Sequence, residues 1–588
     1  MNIHDCLLID YLQKNVQNRI PSFQRPYTWE EKHCIRLIDD IIDVARSSRP
    51  NHFIGTILYR KPIIESGTSI RDIIDGQQRL TTISILFYAI DKYCDIYYCD
   101  ESSNTNEKED IKTQVNTYLF NNTVKEDLKP KIRLNGDSCI PYNELINNHE
   151  VSNYSKDRVI KNYKTISEYL DNIKVSPKLL IEGIQKLLIV DIEVNEIDNV
   201  NLIFETVNDR GKSLNGPDKI KNYILMTANP NTQENLYVRY WSIIEKDLVN
   251  NKKINKFIRY YLSSVMQKVL PKDDYYPDFK EYVQKSGKTI DQIVSGEFFQ
   301  YYENYKRWND SKLNDKNKIN VSLAKIKETR QDIIIPTILC MLNKLSNEKI
   351  NSTDKNYNKV ERETIKILKV IESYFTRWVL CEKESKNLSD VWLKMLKSLS
   401  IEYSENSIKK CIKSLSHVQE MPNDDLLKSK LLTSKIYKDR SNRWCRYILD
   451  RAEQSQNKDY VYSNELSIEH IMPKIIYSKE ELNSKSPELK KKYDWISILG
   501  NNYQNIHKIY LDTIGNLAIS GYNSDYQNFI FSVKRNMGSN VGEDKKGYKY
   551  STIKTTRVLE KYSTWTEKQI KDRANYYFNI LKDIWPYI

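Results

Sequence analysis

A chain of 588 residues is too long for a single hydrophobic core, and its 40% hydrophobic and 29% charged residues are typical of a folded, water-soluble protein. No apolar stretch approaches the roughly twenty residues that cross a bilayer, and the N-terminus lacks the basic start and apolar core of a signal peptide, so we expect a cytoplasmic protein with no membrane partner. The formal net charge of +13 suits an anionic partner, although lysine-rich surfaces also serve solubility.

The first predicted elements are a helix, a strand and a second helix. Apolar residues recur with helical spacing from Trp29 to Arg46 and predict a helix. Arg71 to Asp75 is typical of a strand, and the apolar segment that begins at Leu80 is typical of a helix. A short polar loop therefore joins the strand to the second helix.

That loop contains residue types that bind phosphate groups. Gly76 lets the backbone turn tightly, and the helix start that follows offers unpaired N–H groups. Arg79 supplies a planar fork suited to phosphate, and Asp75 a carboxylate suited to Mg²⁺. Gln77 and Gln78 add further amides. A lone loop of this kind is more often an ordinary strand-to-helix turn, because short motifs match by chance.

Flanking segments decide between these two interpretations. In chain order they are IPSFQRPYTW (20–29), FIGTIL (53–58), IFETVNDRGKSL (203–214) and DKIKNY (218–223). With the loop they closely resemble the N-terminal domain of GmrSD-type proteins, a ParB/sulfiredoxin-like module, over residues 8–228. The resemblance implies binding and hydrolysis of a nucleoside triphosphate (NTP). It assigns nucleotide binding to Gln24, Arg25, Asp75, Gly76, Gln77, Gln78, Arg79, Asn208, Arg210 and Lys221.

The middle of the chain is predicted to be helical. Lys186 to Val194 is typical of a buried strand, and a helix is expected to begin near Pro217. From Gln233 to Met421 nearly every segment has helical spacing, most clearly Glu363 to Leu380. No catalytic set of residues stands out in this region, so the sequence indicates a helical spacer or a recognition domain.

A second set of motifs lies near the C-terminus. Leu466–Ile471 and Ile514–Ser520 are each typical of a short strand. Ser524 and Gln527 form a predicted capping box that opens a helix running toward Lys534. The motifs on these elements are, in order, EHIMP (469–473), GNL (515–517) and YNS (522–524).

This strand–strand–helix order resembles the ββα-metal, or HNH, nuclease fold, specifically the C-terminal domain that accompanies the N-terminal module in GmrSD-type proteins. The resemblance covers residues 435–585 and implies cleavage of a phosphodiester, which needs a base to activate water and a cation at the phosphate. The matching residues are His470 as the base, Glu469 and Asn523 as ligands of Mg²⁺ or Mn²⁺, Asn516 as the residue that orients the imidazole, and Lys534 as the phosphate contact.

Other interpretations of this site were weighed against the nuclease. A lone Glu–His pair is more often a surface or core pair without metal, and the three ordered motifs favour the nuclease. Many HNH sites end in a third histidine where this chain has Asn523, which is compatible with activity at a lower metal affinity. His507 is a second candidate ligand outside the matching positions. Between Phe531 and Arg573, eleven basic residues against five acidic ones indicate contact with a phosphate backbone.

The two resemblances predict an α+β, predominantly helical protein with a ParB/sulfiredoxin-like α/β nucleotide-binding module at 1–230, a helical spacer or recognition domain at 231–430 and a ββα-metal (HNH) module at 431–588. They imply an NTP-dependent, modification-dependent DNA endonuclease of the type IV restriction class, acting on modified phage DNA. Two alternatives stay open: a nucleotide-sensing DNA-binding regulator with an inactive nuclease-like domain, and a toxin-like nuclease that degrades host DNA. The sequence leaves undecided which modification and which NTP are recognised, and whether the chain forms a homo-oligomer.

Overall fold

The computed structural model describes residues 2–21, 24, 26–65, 67–99, 105–195, 216–228, 230–271, 275–351, 354–437, 443–459, 463, 465–540 and 542–588. This part of the chain is mostly helical, with a mixed sheet and a two-stranded hairpin, in agreement with the predicted α+β class. The chain forms two compact units, one of Met1–Asn255 with Asp273–Glu297 and one of Lys256–Lys272 with Phe298–Ile588. Within the described ranges, no helix is long and apolar enough to cross a membrane.

The first unit is built around a mixed sheet of seven strands. They are β1 (Asn2–Leu7), β2 (Val16–Arg19), β3 (His52–Arg60), β4 (Ile63–Glu65), β5 (Thr68–Asp75), β6 (Ile132–Arg133) and β7 (Leu187–Val194). Their order is β1-β7-β3-β5-β2-β6, with β4 paired to β5. β3 runs parallel to β7 and antiparallel to β5, and β5 runs parallel to β2. The predicted strands at 71–75 and 186–194 are thus confirmed as parts of β5 and β7.

The helix that follows β5 forms the centre of this unit's core. It runs Gln77–Tyr97, beginning before the predicted Leu80, because Gly76 has a left-handed φ of 93° and lets the chain enter the helix directly. Residues 80–90 are all buried. The surrounding core includes the apolar face of the helix Glu31–Arg46, which confirms the predicted first helix. The polar loop therefore lies at the junction between β5 and the central helix.

Helices make up most of the remaining described structure. The α-helices in chain order are Leu8–Gln13, Glu31–Arg46, Gln77–Tyr97, Thr105–Leu119, Cys139–Ile146, Arg158–Ile173, Pro177–Gln185, Gly216–Thr227, Pro230–Leu236, Ser242–Leu248, Asn251–Met266, Tyr276–Ser286, Ile290–Gln292, Phe299–Asp310, Lys318–Glu328, Ile335–Asn351, Asp354–Leu380, Val391–Ile401, Glu405–Lys413, Asp424–Thr433, Arg443–Gln456, Lys479–Asn483, Pro487–Tyr493, Trp495–Leu499, Tyr503–Tyr510, Asn523–Tyr526, Phe531–Asn536, Lys554–Arg557 and Glu567–Ile584. The predicted helical stretch from Gln233 to Met421 is confirmed.

The second unit contains the hairpin of β8 (Ser467–His470) and β9 (Leu517–Ser520), which confirms the two predicted short strands near the C-terminus. Residues of the hairpin share a hydrophobic core with the helices Arg443–Gln456 and Glu567–Ile584. The helix predicted to run from Ser524 toward Lys534 is instead two short helices, because Gln527 between them has a positive φ of 44°.

Candidate functional site

His470 lies at the end of β8, where the hairpin meets the segment that precedes β9. The two strands pair antiparallel, with His470 opposite Leu517. The pairing continues one step further, because the Ile471 N–H donates to the Asn516 carbonyl at 2.9 Å. This extension fixes the backbone on both sides of the imidazole.

The His470 imidazole is paired with Asp512. Its Nε2 lies 3.2 Å from Asp512 Oδ1. The Tyr437 ring lies nearly perpendicular to the imidazole, with 4.5 Å between the two ring centroids. Burial lowers the pKa of His470 to about 4, with the hydrogen bond and charge of Asp512 opposing the shift and the neighbouring Lys474 charge adding to it. The imidazole is therefore neutral at physiological pH. Sequence reasoning missed Asp512, because it belongs to no motif and lies 42 positions from His470.

Asn516, predicted to orient the imidazole, contacts the backbone around His470 and not the imidazole itself. Its Nδ2 donates to the carbonyls of Met472 and Leu511, both at 2.9 Å. Its Oδ1 accepts from the Met472 N–H at 2.8 Å and from Trp565 Nε1 at 3.1 Å. Asn516 thus ties the segment after His470 to the segment that contains Asp512, so it positions the imidazole through the main chain.

Glu469 and Lys534 form a buried ion pair, which differs from the roles predicted for both. Lys534 Nζ lies 2.7 Å from Glu469 Oε1 and donates to the carbonyls of His470 and Ile471 at 3.1 and 3.2 Å. Tyr548 OH donates to the same carboxylate oxygen at 3.0 Å. Lys534 has 0% exposure, and its three N–H groups have three acceptors, so it cannot reach a scissile phosphate in this arrangement.

Burial dominates the electrostatics of this pair. It lowers the pKa of Lys534 and raises the pKa of Glu469, because each charged form loses solvation. The attraction between the two charges opposes both shifts. We therefore treat Glu469 and Lys534 as a mutually neutralised pair.

The two predicted metal ligands differ in how well they fit a divalent cation as they are arranged. The oxygen of Asn523 does fit, because Oδ1 is buried and has no hydrogen-bond partner in the described structure, while Nδ2 donates to Ser467 Oγ and the Ile468 carbonyl. Glu469 does not fit, because Lys534 already supplies its countercharge. Among the described residues, no group of three or more His, Cys, Asp or Glu could hold a metal ion. His507, the second candidate ligand, contacts the Pro473 carbonyl at 2.9 Å.

The predicted nucleotide-binding glutamines come together at the end of β5. Gln24 Nε2 donates to the Ile74 carbonyl at 3.1 Å, and Gln77 Nε2 lies 3.4 Å from Gln24 Oε1. Gln78 Oε1 accepts from the backbone N–H groups of Thr28 and Trp29 at 2.8 and 3.1 Å. These amides therefore hold the segment before the helix Glu31–Arg46 against the central helix.

One small cavity lies beside these glutamines. A cavity of about 10 Å³ is lined in part by Gln77, Gln78 and Asn135, and the buried Oε1 of Gln77 has no partner in the described structure. A space of this size holds a single water molecule and not a nucleotide. Elsewhere in the unit, Lys221 is paired with Glu245 at 3.0 Å. Arg25, Asn208 and Arg210 lie outside the described residues.

Arg79 clamps the central helix to β3. Its guanidinium donates to the carbonyls of Ile54 and Thr56 at 2.6 and 2.7 Å, and lies 3.7 Å from the Asp75 carboxylate. Gly55 makes this contact feasible, because a Cβ on it would lie 1.8 Å from Arg79 Nη1. Burial lowers the pKa of Arg79. The Arg79 guanidinium, predicted to bind phosphate, is thus hydrogen-bonded to main-chain carbonyls.

We expect Arg79→Ala to lower the free energy of unfolding of the first unit by about 2–4 kcal/mol, because two strand carbonyls lose a charged donor. Urea denaturation of the purified chain measures the change, with the exposed Arg49→Ala as control, which should stay within about 0.5 kcal/mol of the parent. An Arg79→Ala protein with unchanged stability but no NTP turnover would contradict the clamp and restore the phosphate role.

Two family models match the chain, in the same order as its two sets of motifs. Residues 8–225 match the N-terminal domain of the GmrSD restriction endonuclease, and residues 421–580 match the C-terminal domain of GmrSD restriction endonucleases. No curated protein matches the chain. The two matches together cover more than half of its 588 residues. The chain therefore belongs to the GmrSD restriction endonuclease family, which implies DNA as substrate and the activity of a type IV restriction nuclease.

Proposed function

We propose that this protein is an NTP-dependent, modification-dependent DNA endonuclease that acts against phage DNA, with His470 as its general base. The observation that carries the proposal is the His470–Asp512 pair at the end of β8. A neutral imidazole can accept a proton, and a carboxylate on its other ring nitrogen stabilises the imidazolium that forms. With Nε2–H directed at Asp512, Nδ1 takes a proton from water as the water oxygen attacks phosphorus and the bond to the leaving oxygen breaks.

In this proposal Lys474 makes the phosphate contact that the sequence assigns to Lys534. Its ammonium lies 3.1 Å from the Tyr437 hydroxyl and 4.5 Å from the centroid of the same ring, which borders the His470 imidazole. Lys474 is exposed, whereas Lys534 is fully buried. A cation beside the base stabilises the charge that develops on the attacked phosphate.

The basic stretch from Phe531 to Arg573 supports DNA binding with a smaller set of residues than the sequence indicates. Lys534 and Arg573 have 0% exposure and are excluded. The other nine basic residues are exposed or half-exposed. They supply sequence-independent affinity for the phosphate backbone, which falls as salt concentration rises.

The first unit is proposed to bind and hydrolyse NTP and to gate cleavage. The support is the family match over residues 8–225 and the convergence of Gln24, Asp75 and Gln77 at the end of β5. A nucleotide that entered the adjacent cavity of about 10 Å³ would require the loop to rearrange. A rearrangement of this kind is what a nucleotide-dependent switch needs, because the ligand must favour one state over the other.

The test is incubation of the purified chain with modified phage DNA and with unmodified plasmid, with and without NTP. We expect the modified DNA to be cleaved when NTP is present. We expect no cleavage of the modified DNA without NTP, and none of the unmodified plasmid. Equal cleavage of both DNAs would favour the toxin-like nuclease. NTP turnover and DNA binding without any cleavage would favour the regulator.

A requirement for Mg²⁺ or Mn²⁺ stays a prediction of the sequence, and the same assay in excess EDTA measures it. Loss of cleavage on chelation, with recovery on addition of either ion, would support the requirement. Full cleavage in EDTA would contradict it and agree with the pairing of Glu469 to Lys534.

A further inference from the structure

A cavity of about 900 Å³ lies within the second unit, beside the hairpin. Its walls come from the helices Lys318–Glu328 and Arg443–Gln456, from residues 311–314, and from the start of β8. Ile468 of β8 lines the cavity and lies two positions from His470, so both side chains point to the same face of the strand, about 7 Å apart along it. Ser467, whose side chain points to the opposite face, also lines the cavity, so the cavity borders the start of the strand that carries the proposed base.

The walls of this cavity are strongly cationic. Six basic residues line it against two acidic ones, namely Lys312, Lys325, Lys327, Arg443, Arg446 and Arg451 against Glu328 and Asp450. Both acids are already paired, Glu328 with Arg443 and Asp450 with Arg446, the second pair at 2.8 Å. Arg451 is paired with Glu372, which does not line the cavity, so the excess charge falls on Lys312, Lys325 and Lys327.

Two donors at the wall have no acceptor of their own. Lys325 Nζ has no hydrogen-bond or ion-pair partner in the described structure, and burial together with the nearby Arg451 charge lowers its pKa. Arg451 Nε is buried without a partner, while its Nη2 reaches Glu372 at 3.2 Å. The same oxygen of Glu372, Oε1, also accepts from Tyr447 OH at 3.0 Å and Trp585 Nε1 at 2.8 Å. An anion bound at Lys325 would give its ammonium an acceptor and would lie near the Arg451 charge.

The rest of the wall suits a flat, weakly polar group. Leu313, Val321, Ala324 and Leu466 supply apolar surface next to the cations. The volume lies within the range of about 300–1,000 Å³ that is typical of small-molecule sites. A phosphate group with an attached nucleoside matches this combination of a cationic end, an apolar wall and room for a substituent on the base.

We propose that this cavity binds one nucleotide of the DNA substrate, turned out of the duplex, with its phosphate at Lys325 and Arg451. The proposal rests on the proposed nuclease function, because DNA must be bound at the hairpin for a nucleotide to enter. Enzymes that act on a base within a duplex turn that base out of the stack, because its atoms cannot be reached while it is stacked. A modification on the base would then be read by the apolar wall and not by the residues that cut.

The test measures binding and base extrusion, so it does not depend on cleavage. The probes are a short duplex that contains 2-aminopurine, whose fluorescence rises when the base leaves the stack, and free NTP. The full-length His470→Ala protein serves as the background. We expect a fluorescence rise on binding of the duplex, and Lys325→Met to remove the rise and weaken binding about 10–100-fold, as for loss of a charged hydrogen bond.

Lys318→Met is the matched control, because Lys318 begins the same helix, is exposed and does not line the cavity. It should keep both the fluorescence rise and the affinity. Lys325→Met should fold as well as the parent, because Lys325 is a half-buried cation without a partner. A fluorescence rise in Lys325→Met as large as in the background protein would overturn the proposal. An equal loss of the rise in Lys318→Met would also overturn it. If Lys325→Met loses binding of free NTP but keeps the fluorescence rise with the duplex, the proposal is also overturned and the cavity is assigned to free nucleotide. If the parent protein cuts no DNA but shows the Lys325-dependent rise, the nuclease function fails and the cavity proposal stands.

Discussion

His470→Ala should abolish DNA cleavage while leaving the chain folded. General base catalysis contributes on the order of 10²–10⁴-fold to a rate, and the only neutral imidazole assigned to the task would be gone. Single-turnover cleavage of modified DNA measures the loss, and circular dichroism and NTP turnover on the same preparation show that both units are intact. His507→Ala is the matched control, because His507 contacts the Pro473 carbonyl and is not assigned to catalysis. Undiminished cleavage by His470→Ala would remove the HNH-type assignment.

The pH profile separates a general base from a structural histidine. The neutral form is active, so with a pKa of about 4 for His470 the rate should be flat near neutrality and fall as the pH drops through about 4. Asp512 raises this pKa, so Asp512→Asn should lower the plateau and also move the acid limb to lower pH. A merely structural Asp512 would lower the amount of folded protein without moving the limb.

The elements of the site were predictable from sequence because each depends on local pattern. The apolar runs of β5, β7, β8 and β9 and the left-handed Gly76 are all visible in the order of residues. The His470–Asp512 pair was not visible, because it depends on how the segment before β9 folds back across the end of β8. Only the tertiary structure determines which of several nearby aspartates meets the imidazole.

The charge of three cations did not predict what they contact in the structure. Lys534, Arg573 and Arg79 were expected at phosphates, yet each donates to main-chain carbonyls in the structure. A sequence shows where a charge occurs and not whether the fold leaves it exposed. The signal that could have flagged Arg79 is Gly55, because a glycine in an otherwise apolar strand often marks a close approach.

Lys534→Met should destabilise the second unit by about 3–5 kcal/mol, because it leaves the Glu469 carboxylate buried without its countercharge. Glu469→Gln should destabilise it comparably by leaving the ammonium unpaired. The double variant should recover part of the loss, because no uncompensated charge remains, and a double-mutant cycle by urea denaturation gives the coupling. Lys546→Met is the matched control: its pair with Asp525 has a similar distance of 2.8 Å but is half-exposed, so about 0–1 kcal/mol is expected.

The pH and Mg²⁺ dependence of Lys534→Met then decides between an ion pair and a metal site. Burial raises the pKa of Glu469, and without the ammonium nothing of comparable strength opposes that rise. Because the folded pKa is raised, the destabilisation should be greatest at high pH and shrink as the pH falls through the folded pKa and the carboxyl becomes neutral. Mg²⁺ should leave the unfolding midpoint of this variant unchanged, because the carboxylate is buried. A midpoint that rises with Mg²⁺ would show that Glu469 can exchange its ammonium for a cation, and would return it to the role of metal ligand.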